Sequence, residues 1–210
     1  MDTLVLKTLA RDAGALLLEH IWIVFISAGI ATLVGVSVGI LGTRRPPVRR
    51  YSLAFANVAQ TIPSLAMFGF LIPIPLIGGI GKRAAILSLI LYALLPILRN
   101  TITGITSVDP AVRDSAIAMG MTDWQLLRHV ELPLAAPTIF AGIRIALVAT
   151  IGTTAIAATI GAGGLGVLIL RGLASVNTME ILAGALPAAA LALAVDGIMA
   201  LVERRWRIEP

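Results

Sequence analysis

Residues able to do bond chemistry are few and scattered in this chain. It has no cysteine, which removes disulfides, thiolate nucleophiles and sulfur-based metal sites. His20 and His129 stand far apart, and neither has a ligand-type residue three or four positions away. Each therefore reads as an interfacial or hydrogen-bonding histidine. The string Gly161-Ala162-Gly163-Gly164-Leu165-Gly166 formally matches G-x-G-x-x-G. A dinucleotide site also needs a preceding strand, a following helix and an acidic residue about 20 positions on. This string instead follows an apolar run of helix length. No G-K-[ST] phosphate loop occurs, and no paired carboxylates, histidine cluster or nucleophile-base spacing suggests a membrane enzyme. The charges inside apolar runs are Arg99, Arg144 and Asp196, and an ionisable group there raises a functional question first. Arg99 and Arg144 lie near the ends of their runs, where long side chains reach water. Asp196 reads as a proton or cation site, as the ion-pair partner of Arg144, or as a cap for polar neighbours.

The elements that must hold these residues are apolar. Of 210 residues, 58% are hydrophobic and 13% charged, too little polar material to cover a water-soluble globule of this size. A bilayer is the fitting solvent, and a helix crossing it needs about 20 mostly apolar residues. The net charge of +5 comes from arginine clusters flanking apolar runs rather than from one basic face, which fits membrane topology and not nucleic acid. Lys7, Arg11 and Asp12 interrupt the first apolar stretch, unlike a cleavable signal peptide.

Five spans are expected. Residues 2–19 should form a short interfacial helix, followed by a first span over Trp22–Leu41. The turn-forming segment Gly42–Arg50 carries four arginines, which places it in the cytoplasm and the N-terminus outside. A second span, Tyr51–Ile72, contains Gln60-Thr61-Ile62-Pro63-Ser64, where Pro63 should kink or break the helix. Such a break is tolerable only against protein or a wet cavity. Pro73–Arg83 reads as an external loop and Ala84–Thr106 as the third span. The fourth span, Leu134–Ile160, leads through the glycine string to an external re-entrant segment ending near Thr178. The fifth, Ile181–Val202, closes on the basic, Trp-bearing anchor Glu203–Arg207. The C-terminus is then inside, and the chain is a single transmembrane domain without room for a fused soluble one.

Between the third and fourth spans lies a polar segment, residues 107–133. Val112, Ile117, Met121, Trp124 and Leu127 recur at near-helical spacing, while Arg113, Asp114, Asp123 and Arg128 keep it out of the bilayer. Asp109-Pro110 starts a helix with Asp109 as N-cap, and Gly120 permits a tight bend between two short helices. The result is an amphipathic peg suited to a groove on a partner; an ordinary loop with a surface helix has the same periodicity. In it, Asp114-Ser115-Ala116, Gly120, Val130 and Leu132-Pro133 stand at the spacings Glu-Ala-Ala, three residues, Gly, nine residues, Ile, one residue, Leu-Pro. That pattern resembles the cytoplasmic EAA loop of bacterial ABC importer permeases. Asp for Glu, Ser for Ala and Val for Ile keep charge, size and branching.

The likeness extends along the chain. Gln60–Ser64, Tyr92–Thr101, Ala118–Thr122, Val130–Pro133 and Ala141–Arg144 are similar to permeases for quaternary-ammonium osmoprotectants such as glycine betaine, choline and carnitine. The glycine string is similar too, though methionine and phosphonate importers share something like it. This resemblance implies an all-α type I importer permease in the bacterial cytoplasmic membrane, surrounded by lipid. It also implies a second permease subunit, identical or paralogous, two cytoplasmic ATPases and an extracytoplasmic solute-binding protein. The chain itself would bind no cofactor, ATP and magnesium belonging to the ATPase. Asp114, Ser115, Ala116, Gly120, Val130, Leu132 and Pro133 would couple to that ATPase. Gln60, Thr61, Pro63, Ser64, Tyr92, Asn100, Thr150, Thr153 and Thr154 are candidates for the translocation path, though polar groups in spans also glue helices together. A methionine or other amino-acid permease is the rival within the class. An ion-coupled secondary transporter is the rival outside it, expected to show membrane carboxylates or inverted repeats; only Asp196 answers to that.

Overall fold

The computed structural model describes residues 3–74 and 79–206, and among these every regular element is helical. The helices are α1 Thr3–Arg44, α2 Pro46–Thr61, α3 Ser64–Leu71, α4 Lys82–Thr106, α5 Pro110–Ala118, α6 Asp123–Leu126, α7 Leu132–Ala157, α8 Gly166–Ala174 and α9 Thr178–Trp206. A π turn, Leu127–Glu131, fuses α6 to α7. Four stretches are long and apolar enough to cross a membrane, Lys7–Arg44, Lys82–Thr106, Asp123–Ile160 and Thr178–Trp206, and the bent pair α2–α3 makes a fifth. The count and order match the expected spans.

Packing of α1, α4 and α7 makes the centre. Ala31, Ala93, Ile97 and Ala146 form one buried cluster of the three helices. Val24, Ala28, Leu147 and Ile151 form another, with Leu191 and Val195 of α9 against it. Small residues at these crossings let backbones approach closely, the usual source of cohesion where lipid removes the hydrophobic drive. Only Gly184 of α9 is buried, so this helix presents most of its surface outward.

Two expectations change. Residues 3–19 are not a separate interfacial helix; they continue into the first span as one helix, because nothing between Arg11 and Trp22 breaks the helix. The segment Gly42–Arg50 is not an extended turn. Arg45 alone stands between α1 and α2, extended at φ −128° and ψ 100°, and Pro46 starts α2 at a position where its missing N–H costs nothing. Pro63, expected to kink or break the second span, breaks it, with α2 and α3 at 104°. The expected external loop lies partly outside the described residues, and the described anchor ends at Trp206, whose ring packs on Phe140 of α7 at 6.0 Å.

Candidate functional site

The polar segment after α4 is a helical elbow. The Asp109 carboxylate accepts the Ala111 N–H at 2.8 Å and caps α5, as its place before Pro110 predicts. Gly120 turns the chain at φ +82°. Thr122 and Gln125 then start α6 with a reciprocal capping box: Thr122 N–H donates to Gln125 Oε1 at 2.9 Å, and Gln125 N–H to Thr122 Oγ1 at 3.4 Å.

Its apolar residues divide between two faces instead of forming the single stripe expected. Ala116, Leu126 and Leu127 are buried, Leu127 with Ile105, Ala135 and Ile139 under the bundle. Val112, Ile117, Met119 and Trp124 point away from it, and Trp124 is 64% exposed. Asp114, Ser115 and Gly120 share this exposure. Val130 is half-buried within the π turn, and Leu132 with Pro133 begins α7. The motif's first half thus lies on the exposed elbow and its second half is the joint to the span.

One residue that spacing did not single out holds the joint. Glu131 is fully buried and takes charge from two elements. Arg44, the last residue of α1, grips it with both terminal nitrogens, one at 3.2 Å from Oε1. Arg113 of α5 lies 3.1 Å from the same oxygen and also donates to the Ile105 carbonyl at 3.1 Å. The available signal was a lone carboxylate at the mouth of an apolar span.

Midway along the bundle, a cavity of about 330 Å³ opens between α2, α4 and α7. Among the candidate path residues it brings together Gln60, Tyr92, Asn100, Thr150 and Thr153, and it adds Arg99. Thr61, Pro63, Ser64 and Thr154 do not line it. Thr154 is buried and bonded to the Thr150 carbonyl at 2.7 Å, and Thr61 donates to the Val58 carbonyl at 2.8 Å. Pro63 and Ser64 instead make the α2–α3 corner. The Tyr92 hydroxyl donates to the Ile62 carbonyl there, and Gln60 Nε2 donates back to the Tyr92 carbonyl at 2.8 Å. Polar groups freed by the break thus find partners on α4, which is how a broken helix survives in a bilayer.

Near the middle of α1, the glycine string folds against Glu19 and His20. Gly163 and Gly164 are left-handed at φ +88° and +74°. Glu19 accepts the Gly164 N–H at 2.9 Å and pairs with Lys82 at 2.5 Å. The buried His20 ring accepts the Leu165 N–H at 3.3 Å through Nδ1, with Nε2 3.1 Å from the Ile151 carbonyl. The string is thus a structural corner held by α1. His129 places Nδ1 3.1 Å from the Gln125 carbonyl, and Asp196 is paired with Arg144 at 2.6 Å. No cluster of metal-ligating side chains occurs among the described residues.

The described residues form a polytopic membrane bundle with a capped polar elbow between its third and fourth crossings. The chain belongs to the family of binding-protein-dependent transport system inner membrane components, whose model matches residues 7–208. It is therefore a multi-pass inner-membrane transport component. It is 45% identical over 204 residues to the osmoprotectant import permease protein OsmW of Salmonella typhimurium, covering 95% of this chain and 94% of that one. It is 51% identical over 175 residues to the glycine betaine/carnitine/choline transport system permease protein OpuCD of Bacillus subtilis, covering 83% and 75%. In structure it resembles a chain of the inward-facing MetNI methionine ABC transporter, with a TM-score of 0.84 over 99% of this chain and 100% of that one. At 24% identity this last likeness shows the type I importer fold alone.

Proposed function

We propose that this chain is the membrane-spanning subunit of an ATP-driven importer for quaternary-ammonium osmoprotectants, the class that includes glycine betaine, carnitine and choline. The observation that carries the reading is its identity of 45% or more to osmoprotectant permeases over most of its length. The methionine alternative has fold similarity only behind it.

In this reading the elbow docks on a cytoplasmic ATPase. Val112, Ile117, Met119 and Trp124 offer that partner an exposed apolar surface, flanked by Asp114 and Ser115 and shaped by Gly120. Ala116, Val130, Leu132 and Pro133 fix the elbow to α7. ATP and magnesium are held by the ATPase, and this chain contributes no catalytic group. Closure of an ATPase pair would draw two elbows together, one from each of two permease subunits, and turn the spans outward. Hydrolysis would let them return. The four arginines of Gly42–Arg50 favour the elbow end as cytoplasmic, with the N-terminus outside and the C-terminus inside.

Gln60, Tyr92, Asn100, Thr150 and Thr153 would form the wet part of the passage. That cavity holds one aromatic ring and no carboxylate, whereas tight capture of a quaternary ammonium calls for several aromatic faces. Selection would then rest with an extracytoplasmic binding protein, and this chain would supply a weak, polar way through.

The test is uptake of labelled glycine betaine, carnitine, choline and methionine by the complete complex in proteoliposomes supplied with internal ATP. Uptake of at least one quaternary ammonium compound, abolished when the ATPase is omitted, is expected. Uptake of methionine alone, or full uptake driven by an ion gradient without the ATPase, overturns the reading.

A further inference from the structure

The elbow is connected to the bundle by two routes of different kinds. The first is covalent: α6 passes through the π turn into α7, so that Asp123–Ile160 is one continuous stretch of helix. A π turn inserted in a helix commonly marks a functional position. Here it ends on Glu131. The second route is electrostatic, from the Glu131 carboxylate to Arg44 at the end of α1 and to Arg113 of α5. Since Arg45 alone separates α1 from α2, whatever moves Arg44 also moves the head of the second span.

We propose that Glu131 is a positioning residue that transmits displacement of the elbow to α1, so that α1 and α7 move together when the elbow is pulled. The inference rests on the docking role given to the elbow above. Glu131 takes no part in docking, because it is fully buried while the exposed elbow residues face away from the bundle. Its task follows from its geometry. A buried carboxylate held between two half-buried guanidiniums from two elements resists separation more than a fully exposed pair does. The paired fork of Arg44 also fixes direction, since two nitrogens on two oxygens cannot pivot without losing a bond. Without this link a pull on the elbow would still tilt α7 by continuity, but α1 would follow only through side-chain packing.

The complete transporter, with its ATPase and loaded binding protein in proteoliposomes, tests this through the number of substrate molecules imported per ATP hydrolysed. Glu131→Gln keeps the shape and removes the charge. It should leave copurification of the ATPase intact and lower import per ATP about tenfold, the scale of coupling carried by one network residue. Arg44→Gln should do the same. The double variant should be no worse than either single one, because both remove one interaction, and Glu131→Asp should restore part of the ratio.

An unchanged ratio in both single variants overturns the proposal. So does a parallel fall of uptake and hydrolysis, or additive losses in the double variant, since either would mean that Glu131 only supports the fold. Loss of the ATPase from Glu131→Gln overturns it too, because the residue would then merely shape the dock. Gly120→Val serves as a separate arm. If that elbow variant keeps its ATPase, the docking reading is at fault, and the ratio in the Glu131 variants still decides whether the clamp transmits motion.

Discussion

Arg144 of α7 and Asp196 of α9 meet in a two-point ion pair, Nε to Oδ1 at 2.6 Å and Nη2 to Oδ2 at 2.8 Å. Glu203, two turns further along α9, lies 3.5 Å from the same guanidinium. Because α9 buries only Gly184, this pair, with the Arg171–Glu180 pair to α8 at 2.7 Å, gives α9 directional fastening beside its side-chain packing. Arg144→Ala and Asp196→Ala should each lower the thermal midpoint of the purified protein. Combining them should add little, and the charge exchange Arg144→Asp with Asp196→Arg should recover part of the loss. Independent, additive losses in scanning fluorimetry would count against the pair.

Gly120 separates backbone strain from crowding. A side chain there meets nothing of this chain within 4 Å, yet φ is +82°. Gly120→Val therefore forces a branched residue into the left-handed region at a cost of about 1–2 kcal/mol, bending the elbow away from its partner. Gly120→Asn, which tolerates that region, should keep most of the uptake that Val loses. Equal uptake by both variants and wild type would show that the turn is dispensable.

Gly142 is the converse case. A methyl group there would lie 2.5 Å from Asn100 Cβ and 2.8 Å from the Pro96 carbonyl, so α4 and α7 must part to admit it. Overpacking of this kind costs about 1–3 kcal/mol. Gly142→Ala should lower the thermal midpoint and, by shifting Asn100 and Pro96, alter the cavity they line. A midpoint and uptake rate equal to wild type would mean that the crossing is looser than its geometry implies.

Tyr92→Phe keeps the ring and removes the hydroxyl that donates to the Ile62 carbonyl. A polar group left without its partner in a bundle costs about 1–3 kcal/mol. The loss should fall locally: amides of Ser64–Leu71 should exchange faster with deuterium while those of α4 keep their protection. Uniform acceleration, or none, would argue that Tyr92 does not hold the corner.

Much of this architecture was legible in local sequence. α4 begins two residues before its expected start and ends where expected, and α9 contains its expected span, because hydropathy alone sets the length of a bilayer crossing; α7 stops at Ala157, and a 3-10 turn carries the chain on to the expected end at Ile160. The cap of α5 was readable in the same way, since Asp109 with Pro110 acts within one helical turn; the capping box of Thr122 and Gln125 was not among the expectations. What escaped depends on distance along the chain. Glu131 meets Arg44 across 87 positions, and Glu19 meets Gly164 across 145. Neither pairing leaves a trace in periodicity or composition. The lining of the cavity was only half readable, since Thr150, Thr153 and Thr154 fall within little more than one turn. Which of them faces the gap depends on how α7 is rotated against α4, a property of packing.

The helix α1 is tied by charge at two points, through Glu19 near its middle to Lys82 and through Arg44 at its end to Glu131. At 1.5 Å per residue the two fastenings stand about 38 Å apart, against roughly 30 Å of hydrocarbon. A strut of that kind cannot shorten when the surrounding lipid thins or thicken when it swells. Its only freedom is to lean, so the thickness of the host bilayer becomes one of the settings on which the resting pose of the whole bundle depends.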